Sequence, residues 1–320
     1  MPVLLLTRRM ALAGLIIAAS AAPSFAQDVS DTVRIGLQRS STLTAILRAN
    51  GELEKALAPL KVKVSWHEFT SGLPLLEALN LGNIDVSADV ADTVPVFAQA
   101  AGAKLVYFAE EAASPGAQAI LIPGNSPIKS VGELKGKKVA VTKGAGSHFL
   151  LVAALKDAGV TFKEIAPAYL TAADGRAAFV SNNVDAWVAW DPFLTIAQRQ
   201  SGAKVLRDGK GLSGYKRYYL ASGNFAARRG DVLKVFYQKL DETGRWVNAE
   251  PKAAAKLLSS LWGIDADIVE QALRNRTHKI GTVTKAGLTE QQSIADAFVT
   301  EGVLPKRIDT TDVKIWSPGS

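Results

Sequence analysis

The sequence predicts an α/β protein built on mostly parallel sheet and arranged as two similar units. Three observations carry that prediction. Short β-branched runs alternate with helical stretches along most of the chain. The alternation occurs twice, in units of about a hundred residues. A tripeptide signature repeats at equivalent places: Asn83-Ile84-Asp85 precedes a strand leading to Asp92 and Pro95, and Asn183-Val184-Asp185 one leading to Asp191 and Pro192.

The elements follow in order. VRIGL (33–37) reads as a buried strand, followed by a polar turn, QRSST, and a helix through about Ala58. VKVSWHEF (62–69) alternates as a second strand. TSGL opens a helix over LPLLEALNLG that ends at Gly82, IDVSADVAD is a short strand and loop, and TVPVFAQAAG is a helix closed by Gly102. KLVYFAEE and QAILIPG are further strands. The second unit repeats the plan: KKVAVT strand, KGAGSH turn, FLLVAALKDAG helix, KEIAPAYL strand, AADGRAAFVSN helix, and VDAWVAW strand running into DPFLTIAQRQSG. From Asp231 onward helices dominate.

Residues 1–26 stand apart. A basic pair, Arg8 and Arg9, precedes an apolar run, and Ser24 and Ala26 supply the small-x-small pattern of a secretory signal peptide. The apolar run over 10–22 is too short to span a bilayer comfortably. The arginine pair fits either the twin-arginine or the general export route. No cysteine occurs, so no disulfide staple and no lipidated cysteine after the leader is expected. Losing Arg8 and Arg9 with the leader takes the formal charge from +7 to +5, too little for nucleic-acid binding but suited to an anionic ligand.

Two stretches could carry function. KGAGSH (143–148) lacks the Gly-Lys-Ser/Thr of a Walker loop, and Phe149 replaces the third glycine of a dinucleotide fingerprint. What remains is glycine backbone that a ligand can approach, Ser147 as a cap and donor, and the free N–H groups of a helix start, which favour an anion. An ordinary capped turn would look the same. Gln38-Arg39-Ser40-Ser41, Thr70-Ser71-Gly72 and Asp92-Thr93 have similar character before other helices. In DAWVAWDPF, Trp187 and Trp190 point to opposite faces of a strand. Trp190, at the carboxyl end, is the candidate for a cleft wall, with the choice between the two left open; Asp191 is also a ready helix cap. His148 has only the adjacent Ser147 beside it, which is poor geometry for a triad. No HExxH or clustered metal ligands occur, so no catalytic residue, metal or cofactor is expected.

WHEFTSGLPLLEALNLGNIDV, VPVFAQAAGA, ELKGKKVAVTKGAGSHFLL, YLTAADGRAAF, VDAWVAWDPF and IADAFVTEGVLP complete a recognisable pattern. Over 33–316 the chain resembles the aliphatic-sulfonate-binding proteins of bacterial ABC transporters, in the larger family that includes the taurine and nitrate binding components. The resemblance implies a type II periplasmic binding fold, two doubly wound lobes joined by two crossings, near 118–123 and 218–222. Lobe 1 would be 28–117 with 223–320, and lobe 2 would be 118–222. It implies a periplasmic monomer that captures a small anionic alkanesulfonate for sulfur acquisition and hands it to an inner-membrane permease. By similarity the ligand positions are Gln38, Ser71, Gly72 and Asp92 from lobe 1, and Ser147, His148, Trp190 and Asp191 from lobe 2. One departure is Ala88-Asp89-Val90-Ala91-Asp92, where small residues are usual. Two carboxylates there would repel a sulfonate unless one turns away or pairs with Arg39, and would suit an amine such as that of taurine. Taurine, nitrate, bicarbonate or a thiamine precursor are the alternative ligands; a pyrimidine-synthesising enzyme on the same fold is the alternative of another class.

Overall fold

The computed structural model describes residues 31–319, so the expected leader lies outside the described residues. Twelve strands occur among those residues: β1 Asp31–Gln38, β2 Val62–Phe69, β3 Val86–Ala91, β4 Leu105–Glu111, β5 Gln118–Ile122, β6 Lys138–Val141, β7 Ala166–Tyr169, β8 Ala186–Trp190, β9 Lys204–Asp208, β10 Arg217–Ser222, β11 Ile280–Gly281 and β12 Lys314–Ile315. They form two sheets. The larger runs β11-β4-β10-β3-β1-β2 with β12 beside β4; the smaller runs β7-β6-β8-β5-β9.

The sheets share one plan. In the larger, β2, β1 and β3 are parallel, and β10 enters antiparallel between β3 and β4. In the smaller, β7, β6 and β8 are parallel, and β5 enters antiparallel between β8 and β9. Each antiparallel strand follows directly on a passage from the other sheet, which is the twice-crossing connectivity of the type II arrangement. Inner strands β3, β5 and β8 are buried along their whole length; β8 is wholly apolar and β5 apolar after Gln118, whereas β3 carries Ser87 and Asp89 into the interior. Edge strands β2 and β7 are half exposed.

The repeated tripeptide has a structural meaning. The Asp85 carboxylate accepts the Arg34 backbone N–H at 2.9 Å, and the Asp185 carboxylate accepts that of Lys138 at 2.7 Å. In return each aspartate N–H donates to the carbonyl of the same residue at 2.8 Å. Each therefore locks the entry of β3 onto β1, or of β8 onto β6, just before Val86 pairs Ile35 and Ala186 pairs Val139.

Three expectations change. The helix through Ala58 is interrupted: Thr42–Asn50 ends at Gly51, whose φ of 68° is left-handed, and Glu52–Leu57 restarts the helix. Neither crossing lies where expected, because 118–122 is β5 of the smaller sheet and 218–222 is inside β10 of the larger. The chain passes between sheets at 112–117 and 209–216 instead. Finally, the C-terminal third is not confined to the larger sheet. Helix Thr289–Thr300 places Ile294, Ala295 and Phe298 in the same core as Ile120, Val139, Leu150 and Val188 of the smaller one.

Trp187 is 1% exposed and packs with Phe179, Ala119 and Ala140, while Gly175 lies so close that a Cβ there would sit 2.7 Å from its Nε1. Trp187→Ala should therefore cost about 3–5 kcal/mol of stability, read as a lowered urea midpoint; a loss under about 1 kcal/mol would contradict this packing.

Candidate functional site

A narrow slot opens where the parallel strands of both sheets end, the place where doubly wound sheets present their loops. From the larger sheet it is lined by Gln38, Ser71, Gly72, Leu73, Ala91, Val94, Tyr215 and Arg217; from the smaller by 142–146 and Trp190. Two helices begin at it. Ser71 is the N-cap of Gly72–Asn80 and Ala145 that of Gly146–Asp157, and neither start has a side-chain cap. Their first-turn N–H groups favour negative charge in the slot.

The glycines of KGAGSH let the two sides touch. Gly144 has φ of 75°, and a Cβ there would lie 2.8 Å from Leu73; at Gly146 it would lie 2.5 Å from the Tyr215 ring. Thr93 Oγ1 donates to the Gly144 carbonyl at 2.7 Å across the slot.

Of the residues expected at the site, the slot brings together Gln38, Ser71, Gly72 and Trp190. Trp190, rather than Trp187, faces it, edge-on to Phe193. The other four lie outside its lining. Ser147 is not the cap but the second residue inside the helix, and it is fully buried. His148 Nδ1 accepts the Gly144 N–H at 3.2 Å, and its ring packs with Phe162, Tyr169 and Phe298. Burial, with Lys143 nearby, pushes its pKa down to about 4, so it is a neutral packing residue. Asp191 stands one residue before the N-cap Pro192 and satisfies the helix start from there: Oδ1 accepts the Thr195 N–H and hydroxyl, and Oδ2 accepts Asn275. Asp92 turns away, accepting the Lys216 N–H at 3.1 Å.

The second departure residue, Asp89, is also withdrawn. It does not pair with Arg39, which is exposed, but makes ion pairs with Arg217 and Arg276. Arg276 Nη2 also meets Glu111 at 2.6 Å and Nη1 donates to Thr42. The Tyr219 hydroxyl donates to Glu111, and Gln38 Nε2 to the Asp89 carbonyl at 2.9 Å. Burial opposes the Glu111 charge, but Arg276, His278 and Arg217 outweigh it and hold the carboxyl at about 2. Burial pushes Asp89 up while the guanidiniums oppose it; a neutral Asp89 would leave Glu111 alone against two guanidiniums, so the pairing supports the carboxylate.

Arg217 is thus the one cation of this buried set that reaches the slot. Sequence reasoning missed it, together with Tyr215, and did not single out Lys143. An arginine thus joins the backbone donors at the slot, compensated from behind.

Burial, reinforced by Glu290, pushes the Asp92 carboxyl up to about 7. A carboxyl raised on folding contributes stability that is fully present when both states are protonated and is lost as pH rises through the folded value. Asp92→Asn should therefore gain on wild type by about 2–4 kcal/mol between about pH 4 and about pH 8. Denaturant unfolding at both pH values measures it, and a gap that does not change with pH would refute it.

The chain matches the family model described as NMT1/THI5 like over residues 62–254. It is 39% identical, over 97% of its length and 96% of the relative's, to a protein of Escherichia coli (strain K12) named for binding aliphatic sulfonates. The structure of the alkanesulfonate-binding protein SsuA from Xanthomonas axonopodis pv. citri, bound to MOPS, matches with a TM-score of 0.83 at 32% identity, covering 89% of this chain and 98% of that one. The periplasmic aliphatic sulphonate binding protein SsuA from Escherichia coli matches with a TM-score of 0.80 at 39% identity, covering 89% and 92%. These relatives are binding proteins rather than enzymes. On this evidence of sequence and fold, the chain belongs to the NMT1/THI5-like family, among its aliphatic-sulfonate-binding members.

Proposed function

We propose that this chain is the periplasmic substrate-binding protein of an ABC importer, capturing aliphatic sulfonates in the slot for delivery to an inner-membrane permease and so for sulfur acquisition. One observation carries the reading: two helix starts from opposite sheets line one slot together with Arg217 and Trp190. Sulfonate oxygens accept N–H hydrogen bonds and need little more than donors and one compensated cation. Trp190, Leu73 and Val94 offer an apolar wall to the carbon chain. The lining contains no carboxylate, so the ammonium of taurine finds no counter-ion there, and the alkanesulfonate reading is preferred.

The lobes of this reading are 31–111 with 217–319, and 118–208, joined at 112–117 and 209–216. The slot offers about 20 Å³, room for about one water-sized group. Loading a sulfonate with its chain therefore requires the lobes to part, and closing over it presents the form a permease recognises. Residues 1–26 serve as the export signal, which mass spectrometry of the exported chain would show as an N-terminus at Gln27. We assign the mature protein as a monomer.

Calorimetric titration of 27–320, unfolded and refolded to strip bound ligand, tests the ligand class. Alkanesulfonates should bind saturably and more tightly as the chain lengthens, ahead of taurine and nitrate. Trp190→Ala should weaken a long-chain sulfonate by about tenfold while changing methanesulfonate little. Silence from every sulfonate would remove the reading.

A further inference from the structure

Asp89, Glu111, Arg217 and Arg276 are 0%, 1%, 3% and 6% exposed. Two carboxylates and two guanidiniums cancel formally, and His278 beside them adds no charge, because burial and Arg276 push its pKa down to about 3. Arg217 alone of the four lines the slot. Its Nη1 donates to the Tyr215 hydroxyl at 3.3 Å, and its Nε has no hydrogen-bond partner among the described residues. Asp89 holds Arg217 through its carboxylate and the slot-lining Gln38 through its carbonyl. The remaining cation of the lining is Lys143, exposed at the rim near the Tyr169 ring.

We propose that Asp89 sets the charge selectivity of the slot: by neutralising Arg217 from behind, it lets the site accept a fixed monoanion and reject a dianion with the same tetrahedral head. This inference rests on the sulfonate reading. A buried charge needs a partner or it is expelled. With the four buried charges balanced, Lys143 leaves one positive charge at the slot, which matches an alkanesulfonate. Sulfate would bring a second negative charge that only the partial charges of the two helix starts could meet, and Asp89 behind Arg217 would repel it. Asp89 itself stays out of the lining, so it acts through Arg217 and is a positioning residue.

Methanesulfonate and sulfate share head geometry and differ by one charge, so their affinity ratio reads the proposal directly. Asp89→Asn should raise the affinity for sulfate relative to methanesulfonate by about tenfold or more. Combining it with Arg276→Gln restores the charge sum and should return the ratio towards wild type, a reversal that lost packing alone would not produce. Glu111 makes its ion pair with Arg276 rather than with Arg217, so Glu111→Gln should move the ratio in the same direction by less, and it replaces Asp89→Asn if that variant does not fold. A ratio that stays within about threefold of wild type in the folded variant overturns the proposal. So does a wild-type protein that binds sulfate as tightly as methanesulfonate, and this comparison decides if neither variant folds. Failure to bind any alkanesulfonate counts instead against the sulfonate reading.

Discussion

Arg217 and Glu111 sit opposite one another on β10 and β4, Asp89 lies on β3 beside β10, and Arg276 closes the set from the C-terminal third. Each of these ions costs several kcal/mol to desolvate, and their attraction repays that only while every partner is present. The set is therefore poor at adding stability and good at allowing a single arrangement. It forces three neighbouring strands and the 276 segment into register, and it leaves one guanidinium edge directed at the slot. Around that edge the glycine turn, the helix starts and the Trp190 wall acquire a common focus.

The same set stands at the base of both passages between the sheets. Glu111 is the last residue of β4 before 112–117, and Arg217 is the first of β10 after 209–216. The passages are bonded to each other: Ser114 N–H donates to the Gly214 carbonyl at 2.8 Å, and Gly209 N–H to the Pro115 carbonyl at 3.1 Å. Two connections tied together in this way bend as one, and their ends on the larger sheet are anchored by paired charges.

How far the sequence discloses this depends on how local each feature is. VKVSWHEF matches β2 residue for residue because an edge strand shows its alternation in its own side chains. RYYLAS is buried almost throughout, yet it opens on an arginine whose partner Asp89 lies 128 residues away, so nothing local marks it as a central strand. The site shows the same division. Ser71, Gly72 and Trp190 stand at element ends, where position decides direction. Ser147 and His148 follow the turn, but each further helical residue swings its side chain by about 100°, and the backbone of 144–146 is left to line the slot. Asp191 went to satisfying its helix start, which the sequence had also allowed.

The C-terminal helix Thr289–Thr300 bears on how such a slot can open. At one end Gln291 donates to the Asp92 carbonyl at 2.6 Å and accepts the Tyr107 hydroxyl, both on the larger-sheet side. At the other end Phe298 packs against Phe97, His148 and Phe149, so it touches the smaller-sheet helix that begins at the slot. Separating the two sides removes the Thr93–Gly144 hydrogen bond and uncovers part of this aromatic contact, at roughly 25 cal/mol for each Å² exposed. A ligand shifts that balance only through contacts it makes better in one arrangement than the other. Donors on both walls satisfy this condition, because a tetrahedral head can meet the Gly72 and Gly146 helix starts together only when the walls are close. Arg217, fixed from behind, contributes in either arrangement. The charge set thus bears on which ligand enters, and the two helix starts on whether the walls close over it.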